Sequence, residues 1–327
     1  MSGAATVQGT TFRTEQTRHP ATPIFLAAGA ILVVDLVWLA ASGIALEVQG
    51  FGVAALVIAA LAAAGAFWTR VKPEPVLAGM ALSTAGLGAF TIAIAVLHYL
   101  AAALGRPLFD DQLSAWESGL GFDWPAYIAW IEQHETLAHL LAQAYHTSGP
   151  QVGLVVVALS AAREFDRLWA YVRMFCITLA VAIGVSALFP AEGPYAHYGV
   201  AAGLDRLETV GAVWHLQPLE ALRNGTLQTL ALTDIRGLVT FPSFHVCLAL
   251  LTVWALWRIP ALNLVALLVN AAIVVATLSA GGHYLPDLLA GGAVAAFAIA
   301  GLRVHAVSLD SSPKSRRIRS DVIRAPS

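Results

Sequence analysis

Eight stretches of this chain are apolar over lengths that can cross a lipid bilayer, and nothing else in the sequence limits the possible folds so strongly. They cover residues 24–46, 51–68, 77–104, 136–161, 168–189, 243–258, 261–280 and 284–304. A helix rises about 1.5 Å per residue, so roughly 20 apolar residues span the ~30 Å of hydrocarbon in a bilayer. In that medium every backbone N–H and C=O must be satisfied inside the segment, which makes helices the default. The composition agrees: 58% of the 327 residues are hydrophobic and 12% are charged, more apolar surface than a soluble domain can hide. The expected fold is an all-α integral membrane protein with about eight transmembrane helices. The second and sixth stretches are short and Ser148-Gly149-Pro150 interrupts the fourth, so counts of seven or nine fit the same pattern.

The first 23 residues are polar and the apolar run after them is too long for the core of a signal peptide, so a retained first helix is expected. Cys176 and Cys247 both fall inside apolar stretches, which supports neither a disulfide framework nor a cysteine metal site.

Charge sets the orientation. With the N-terminus in the cytoplasm, eight crossings leave Arg13, Arg18, Arg70, Lys72, Arg163, Arg167, Arg173, Arg258, Arg303, Lys314, Arg316, Arg317, Arg319 and Arg324 on the cytoplasmic side, fourteen of the eighteen basic residues. That satisfies the positive-inside rule. The other side keeps Arg106, Arg206, Arg223 and Arg236, beside an acid-rich loop carrying Asp110, Asp111, Glu117, Asp123, Glu132 and Glu135. Both termini are then cytoplasmic, and the long stretches 105–135 and 190–240 lie outside. Trp124-Pro125 opens a mixed run that suits a helix lying at the interface. Trp68, Trp169, Trp254 and Trp257 fall near cytoplasmic ends of spans, where indole rings act as anchors. The tail from Ser308 to Ser327 is rich in Ser, Pro and Arg and is expected to be disordered. A net charge of −2 gives no reason to expect a nucleic-acid partner.

Two segments carry candidate chemistry, Phe241-Pro242-Ser243-Phe244-His245 and Gly281-Gly282-His283-Tyr284-Leu285-Pro286-Asp287. Each begins an apolar span where the chain re-enters the membrane from outside. One helix in and one helix back separate them, so both histidines arrive at the same face. His283 and Asp287 are four apart and share a helix face, where the carboxylate can accept a hydrogen bond from one imidazole nitrogen and leave the other free to attack. An Asp in the entering turn of a span needs a partner, and His283 is the obvious one. Pro286 is tolerated in a first turn, which suggests a helix starting near Gly282. Ser243 is placed to cap the sixth span, and phosphate could meet unpaired N–H groups at both helix starts.

These segments resemble the second and third signature motifs of the type-2 phosphatidic acid phosphatase superfamily, in the inositol-phosphotransferase branch that includes fungal inositol phosphorylceramide synthase. Leu120-Gly121-Phe122-Asp123-Trp124-Pro125 and Leu222-Arg223, with Gly225, resemble its bacterial members, and the likeness covers roughly residues 110–304. The resemblance implies a phosphatase-type helical bundle and a metal-independent phosphatase or phosphotransferase that needs no cofactor. Its substrate would be a phosphorylated lipid in the bilayer, and transfer of an inositol-phosphate-type head group is the finer implication. His283 corresponds to the nucleophile that forms a phosphohistidine, Asp287 to its orienting carboxylate, His245 to the acid that protonates the leaving oxygen, and Ser243 to a phosphate holder. The implied location is a bacterial inner membrane with the site facing the periplasm. The organisation that follows is a cytoplasmic tail over 1–23, N-terminal transmembrane helices over 24–104, a catalytic membrane domain over 105–304 and a basic disordered tail over 305–327.

The family's first motif, a lysine and arginine clamp for phosphate, has no recognisable copy. Arg163 and Arg167 would lie on the wrong side, and Thr277 stands six residues before His283, where many members carry an arginine. Charge on a transferred phosphoryl group still needs cationic or N–H donors. Of the four arginines on the outer face, Arg223 and Arg236 lead directly into the Ser243 and His245 segment and are the candidate clamp.

A transporter or channel is the alternative class; it predicts inverted repeats with broken helices in matching positions, and none is visible. Histidines ligating haem between helices would sit mid-span, unlike His245 and His283. Asp35, mid-span, is either functional or a helix-to-helix hydrogen bond. His146 either lines a cavity or caps a kink, and His197 and His215 have no assigned role. Substrate identity and oligomeric state are not readable.

Overall fold

The computed structural model describes residues 19–200 and 212–310. The stretch of the N-terminal tail up to residue 18, Arg206, and the basic tail from residue 311 onward lie outside the described residues. The fold is an all-α integral membrane protein. Its helices are α1 (Thr22–Ser42), α2 (Val48–Arg70), α3 (Pro75–Ala102), α4 (Asp110–Gly119), α5 (Trp124–Glu132), α6 (Glu135–His146), α7 (Ser148–Ala161), α8 (Phe165–Leu188), α9 (Pro194–His197), α10 (Leu216–Arg223), α11 (Phe244–Leu256), α12 (Asn263–Ser279) and α13 (Leu285–Asp310). Two short parallel strands, β1 (Ala45–Leu46) and β2 (Thr229–Leu230), pair Ala45 with Thr229 and Leu46 with Leu230. They tie the α1–α2 connection to the segment ahead of the first histidine.

Five helices, α1, α2, α3, α8 and α13, are long and apolar enough to cross a membrane, and α7, α11 and α12 are shorter apolar helices of 14, 13 and 17 residues. The fourth predicted span is two helices, α6 and α7, meeting at Thr147. The break falls where Pro150, which has no N–H, enters the first turn of α7 and cannot continue the hydrogen-bond ladder of α6. The last helix runs to Asp310, so residues 305–310 extend it instead of starting a disordered tail.

Inside a bilayer, lipid tails are as apolar as leucine, so helices associate through close packing at small residues more than through the hydrophobic effect. At Gly65 of α2 an added Cβ would stand 2.5 Å from Leu82 Cγ on α3, and at Gly86 of α3 it would stand 3.2 Å from Ile24 Cγ2 on α1. Gly291 is the tightest such point: its Cβ would lie 2.3 Å from the Ser243 carbonyl oxygen. There the Ser243 N–H donates to the Asp287 carbonyl at 3.0 Å and Cys247 Sγ donates to the Gly291 carbonyl at 3.1 Å. Each pair steps forward one turn on both helices, so α11 and α13 run parallel and bring the two motifs to one end of the bundle.

Three short helices pack around that end. Asp123 caps α5 by accepting from the Ala126 N–H at 2.9 Å. Trp124, expected at an interface, is fully buried, and its Nε1 donates to the Leu278 carbonyl at 3.0 Å. Tyr195 on α9 donates to the next carbonyl, Ser279, at 2.9 Å. These donors occupy carbonyls that a helix C-terminus leaves unpaired, and they hold the end of α12 where the second motif begins. At the opposite end, Arg167 donates to the Ala255 carbonyl at 2.7 Å and to the Trp254 carbonyl, with its guanidinium 4.2 Å from the Trp254 ring. That arginine serves the C-terminus of α11, a full helix away from His245. Trp257 is 55% exposed, as an anchor should be, whereas Trp169 is buried with His19 edge-on at 5.5 Å. It packs the bundle instead.

Candidate active site

The turn Ala280–Tyr284 and the starts of α11 and α13 assemble the site. Gly281 and Gly282 are required by the path of the chain. A Cβ on Gly281 would lie 2.8 Å from the Thr277 carbonyl and 2.9 Å from the Tyr145 ring, and Gly282 has φ +63°, a conformation only glycine adopts without cost. The His283 N–H then donates to the Thr277 carbonyl at 3.1 Å. Thr277, six residues before His283, thus contributes its backbone to the placement of His283. The helix starts at Leu285, not near Gly282, so His283 sits in the turn before it.

His283 and Asp287 nevertheless meet. Nδ1 is 3.1 Å from Asp287 Oδ2, which also accepts the Tyr284 N–H at 2.9 Å. His283 is 2% exposed, and Asp287 and Ser243 are fully buried. Burial disfavours the imidazolium and holds His283 below its ordinary value. With Nδ1 turned to a carboxylate, Nε2 is the ring nitrogen that faces Ser243, 3.3 Å from its Oγ, and the Thr240 backbone also hydrogen-bonds the ring.

Ser243 occupies the N-cap position of α11, but its side chain makes no capping bond. Its hydroxyl faces His283 instead, and Ser243 leaves the first-turn amides of α11 uncapped. His245, in that first turn, has its ring centroid 6.5 Å from that of His283. Its Nδ1 is 3.0 Å from the Tyr145 hydroxyl, and the two rings lie 4.5 Å apart. The Tyr145 contact fixes His245 and leaves its Nε2 for other work.

Four sequence candidates, Ser243, His245, His283 and Asp287, therefore come together. Arg223 and Arg236 do not join them: Arg223 Nη1 donates to the Arg106 carbonyl at 2.7 Å, and the Arg236 guanidinium lies 5.4 Å from the Trp214 ring. Asp35 is 1% exposed, and neither of its carboxylate oxygens has a hydrogen-bond partner among the described residues. His146 is exposed; its neighbour Tyr145 is the residue that reaches the site. No cluster of His, Cys, Asp or Glu suited to a metal ion occurs among the described residues. Tyr145, Asp110 and Glu117 are the contributors missed in sequence. The Ser148-Gly149-Pro150 break beside Tyr145 was the available signal for the first, and an acidic pair two turns apart for the others.

Fold and site together define an integral membrane protein with a buried histidine–carboxylate pair and a second histidine at one end of its helices. The model of the PAP2 superfamily matches residues 111–301, and the chain belongs to that superfamily, whose members are generally phosphatases. The match begins inside α4, one residue after Asp110, and takes in Glu117, Tyr145, Ser243, His245, His283 and Asp287. No curated protein and no solved structure matches the chain.

Proposed function

We propose that this protein cleaves or transfers the phosphoryl-linked head group of a lipid at the extracytoplasmic face of its membrane, through a phosphohistidine on His283. The Ser243–His283–Asp287 chain, with His245 beside it, is the observation that carries this reading. His283 Nε2 attacks phosphorus, the bond from phosphorus to the leaving oxygen breaks, and His245 gives that oxygen its proton. Water or a lipid or polyol hydroxyl then attacks the phosphohistidine. His245 takes its proton, the P–N bond breaks and its electron pair returns to His283. Two displacements replace one difficult step.

Support for a lipid comes from an apolar groove of about 480 Å³ between α4 and α13, lined by Trp116, Leu120, Phe241, Pro286 and Leu289. Phe241 and Pro286 belong to the two histidine segments, so an acyl chain in the groove would lie next to the reacting centre. Support for the orientation is the distribution of basic residues. An inositol-phosphate-type head group, the finer reading, draws its support from the Phe-Pro-Ser-Phe-His and Gly-Gly-His-Tyr forms of the segments.

Phosphate charge in this reading is met by the uncapped first-turn amides of α11 together with Arg223 or Arg236, which would have to leave their present partners. Replacing both arginines with Gln is expected to raise KM about tenfold or more, the size of one charge-assisted hydrogen bond. Unchanged kinetics of the double variant would reject the clamp.

The decisive test incubates the protein with head-group-labelled lipids and quenches within a turnover. A labelled protein adduct, labile in acid and stable in alkali, is expected at stoichiometry near one. Full turnover with no such adduct would overturn the phosphohistidine mechanism.

A further inference from the structure

The catalytic turn is held from outside by α4, an element with no part in the chemistry described so far. Asp110 and Glu117 lie two turns apart on its buried face, at 5% and 0% exposure. Asp110 Oδ1 accepts from the Tyr284 hydroxyl at 2.9 Å and from the Gly193 N–H at 2.9 Å, and Oδ2 accepts from the Glu192 N–H at 3.0 Å. Glu117 Oε1 accepts from the Leu285 N–H at 2.8 Å. Adjacent amides of one turn therefore diverge: Tyr284 donates to Asp287, and Leu285 donates to Glu117. Glu117 Oε2 is buried without a hydrogen-bond partner among the described residues, and so is Asp287 Oδ1. Two buried carboxyls thus flank the same turn, one of them bonded to His283 and the other also met by the Tyr198 hydroxyl.

We propose that Glu117 is a positioning residue for the reaction at His283: it fixes the Tyr284–Asp287 turn through the Leu285 amide, and its gain or loss of a proton sets the charge beside the His283–Asp287 pair. The inference rests on the reading of His283 as the reacting residue. The groups facing Glu117 are Asp110 on its own helix, Asp123 beyond the end of α4, Tyr198 after α9, and Tyr284 and Asp287 at the start of α13. None is a cation. Burial raises the Glu117 carboxyl to about 7, the Leu285 amide works in the lowering direction, and the charge of Asp287 adds to the rise. Below that pH Glu117 is neutral and adds no negative charge beside the His283–Asp287 pair. Above it, a buried carboxylate bonded to the Leu285 amide adds negative charge behind the turn that carries His283, which disfavours an anionic phosphoryl group there, and the rate falls.

The test is the pH profile of kcat/KM for the full-length protein in detergent or vesicles, with a phosphodiester lipid whose own charge is constant over the range. Wild type is expected to fall about tenfold from its plateau between about pH 6 and pH 9. Glu117→Gln keeps an acceptor for Leu285 and cannot ionise, so its profile should be flat over that range. Glu117→Ala should lose about tenfold in kcat at every pH, the cost of one hydrogen bond, while Asp111→Asn, exposed on the same helix, should leave the profile as in wild type. If Glu117→Gln keeps the alkaline fall, or Glu117→Ala keeps full kcat, this inference alone is overturned. A wild type inert toward every lipid phosphate overturns it together with the proposed function.

Discussion

His283→Asn is expected to lower turnover of a lipid phosphate by about 10⁴-fold, because removing a nucleophile abolishes the covalent route and leaves only binding and electrostatic help. Asn is close to His in size and polar, and it can keep a hydrogen bond to Asp287 or Ser243, so the loss reports chemistry and not collapse of the site. The surroundings make the case sharper. Asp287 orients the ring through Nδ1, the Thr277 carbonyl holds the His283 backbone N–H, and Ser243 Oγ stands 3.3 Å from the nitrogen that would react. Turnover should be measured with radiolabelled lipid, and retention of bound lipid by equilibrium binding. A variant that binds lipid and still turns it over within tenfold of wild type would remove His283 from the mechanism.

His245→Asn is expected to cost about 10²- to 10⁴-fold, the range for losing a general acid or base, and the loss should depend on the leaving group. An alkoxide leaving from a diacylglycerol needs a proton as the phosphorus–oxygen bond breaks. A nitrophenolate does not. Comparing a natural lipid with a nitrophenyl ester of the same head group should therefore show a small effect of the variant on the nitrophenyl ester and a large one on the lipid. The adduct should then accumulate, since dephosphorylation also needs His245 to take a proton from water or alcohol. Equal losses on both substrates would place His245 in structure or binding instead. Tyr145, 3.0 Å from His245 Nδ1, should behave as its orienting partner.

The legible part of this protein was the part written in local patterns. Apolar length identified the helices, and the spacing from His245 to His283 put both rings at one face, because one helix in and one helix out return the chain to its starting side. A four-residue separation joined His283 to Asp287 even though the turn, not the helix, carries the histidine. Local rules failed where packing overrode them. Trp124 had an interface composition but is fully buried, since its indole supplies the donor that the end of α12 lacks. Ser243 has cap chemistry but is diverted to His283, since Gly291 lets α13 approach the backbone at that position. Arg223 and Arg236 stand near the Ser243 segment in sequence, and the fold turns each to a partner outside the site.

The sequence alone determined the bilayer as solvent, the helical class, and the pairing of two histidine segments, because hydrophobic length and helical period depend on residues a few positions apart. Only the tertiary structure decided what surrounds the histidines. Tyr145 on His245, Asp110 on Tyr284 and Glu117 on Leu285 link residues separated by 100 or more positions. Those contacts exist because α4, α6 and α13 pack at one end of the bundle, and no spacing rule within a single helix encodes which side chain a neighbouring helix will present.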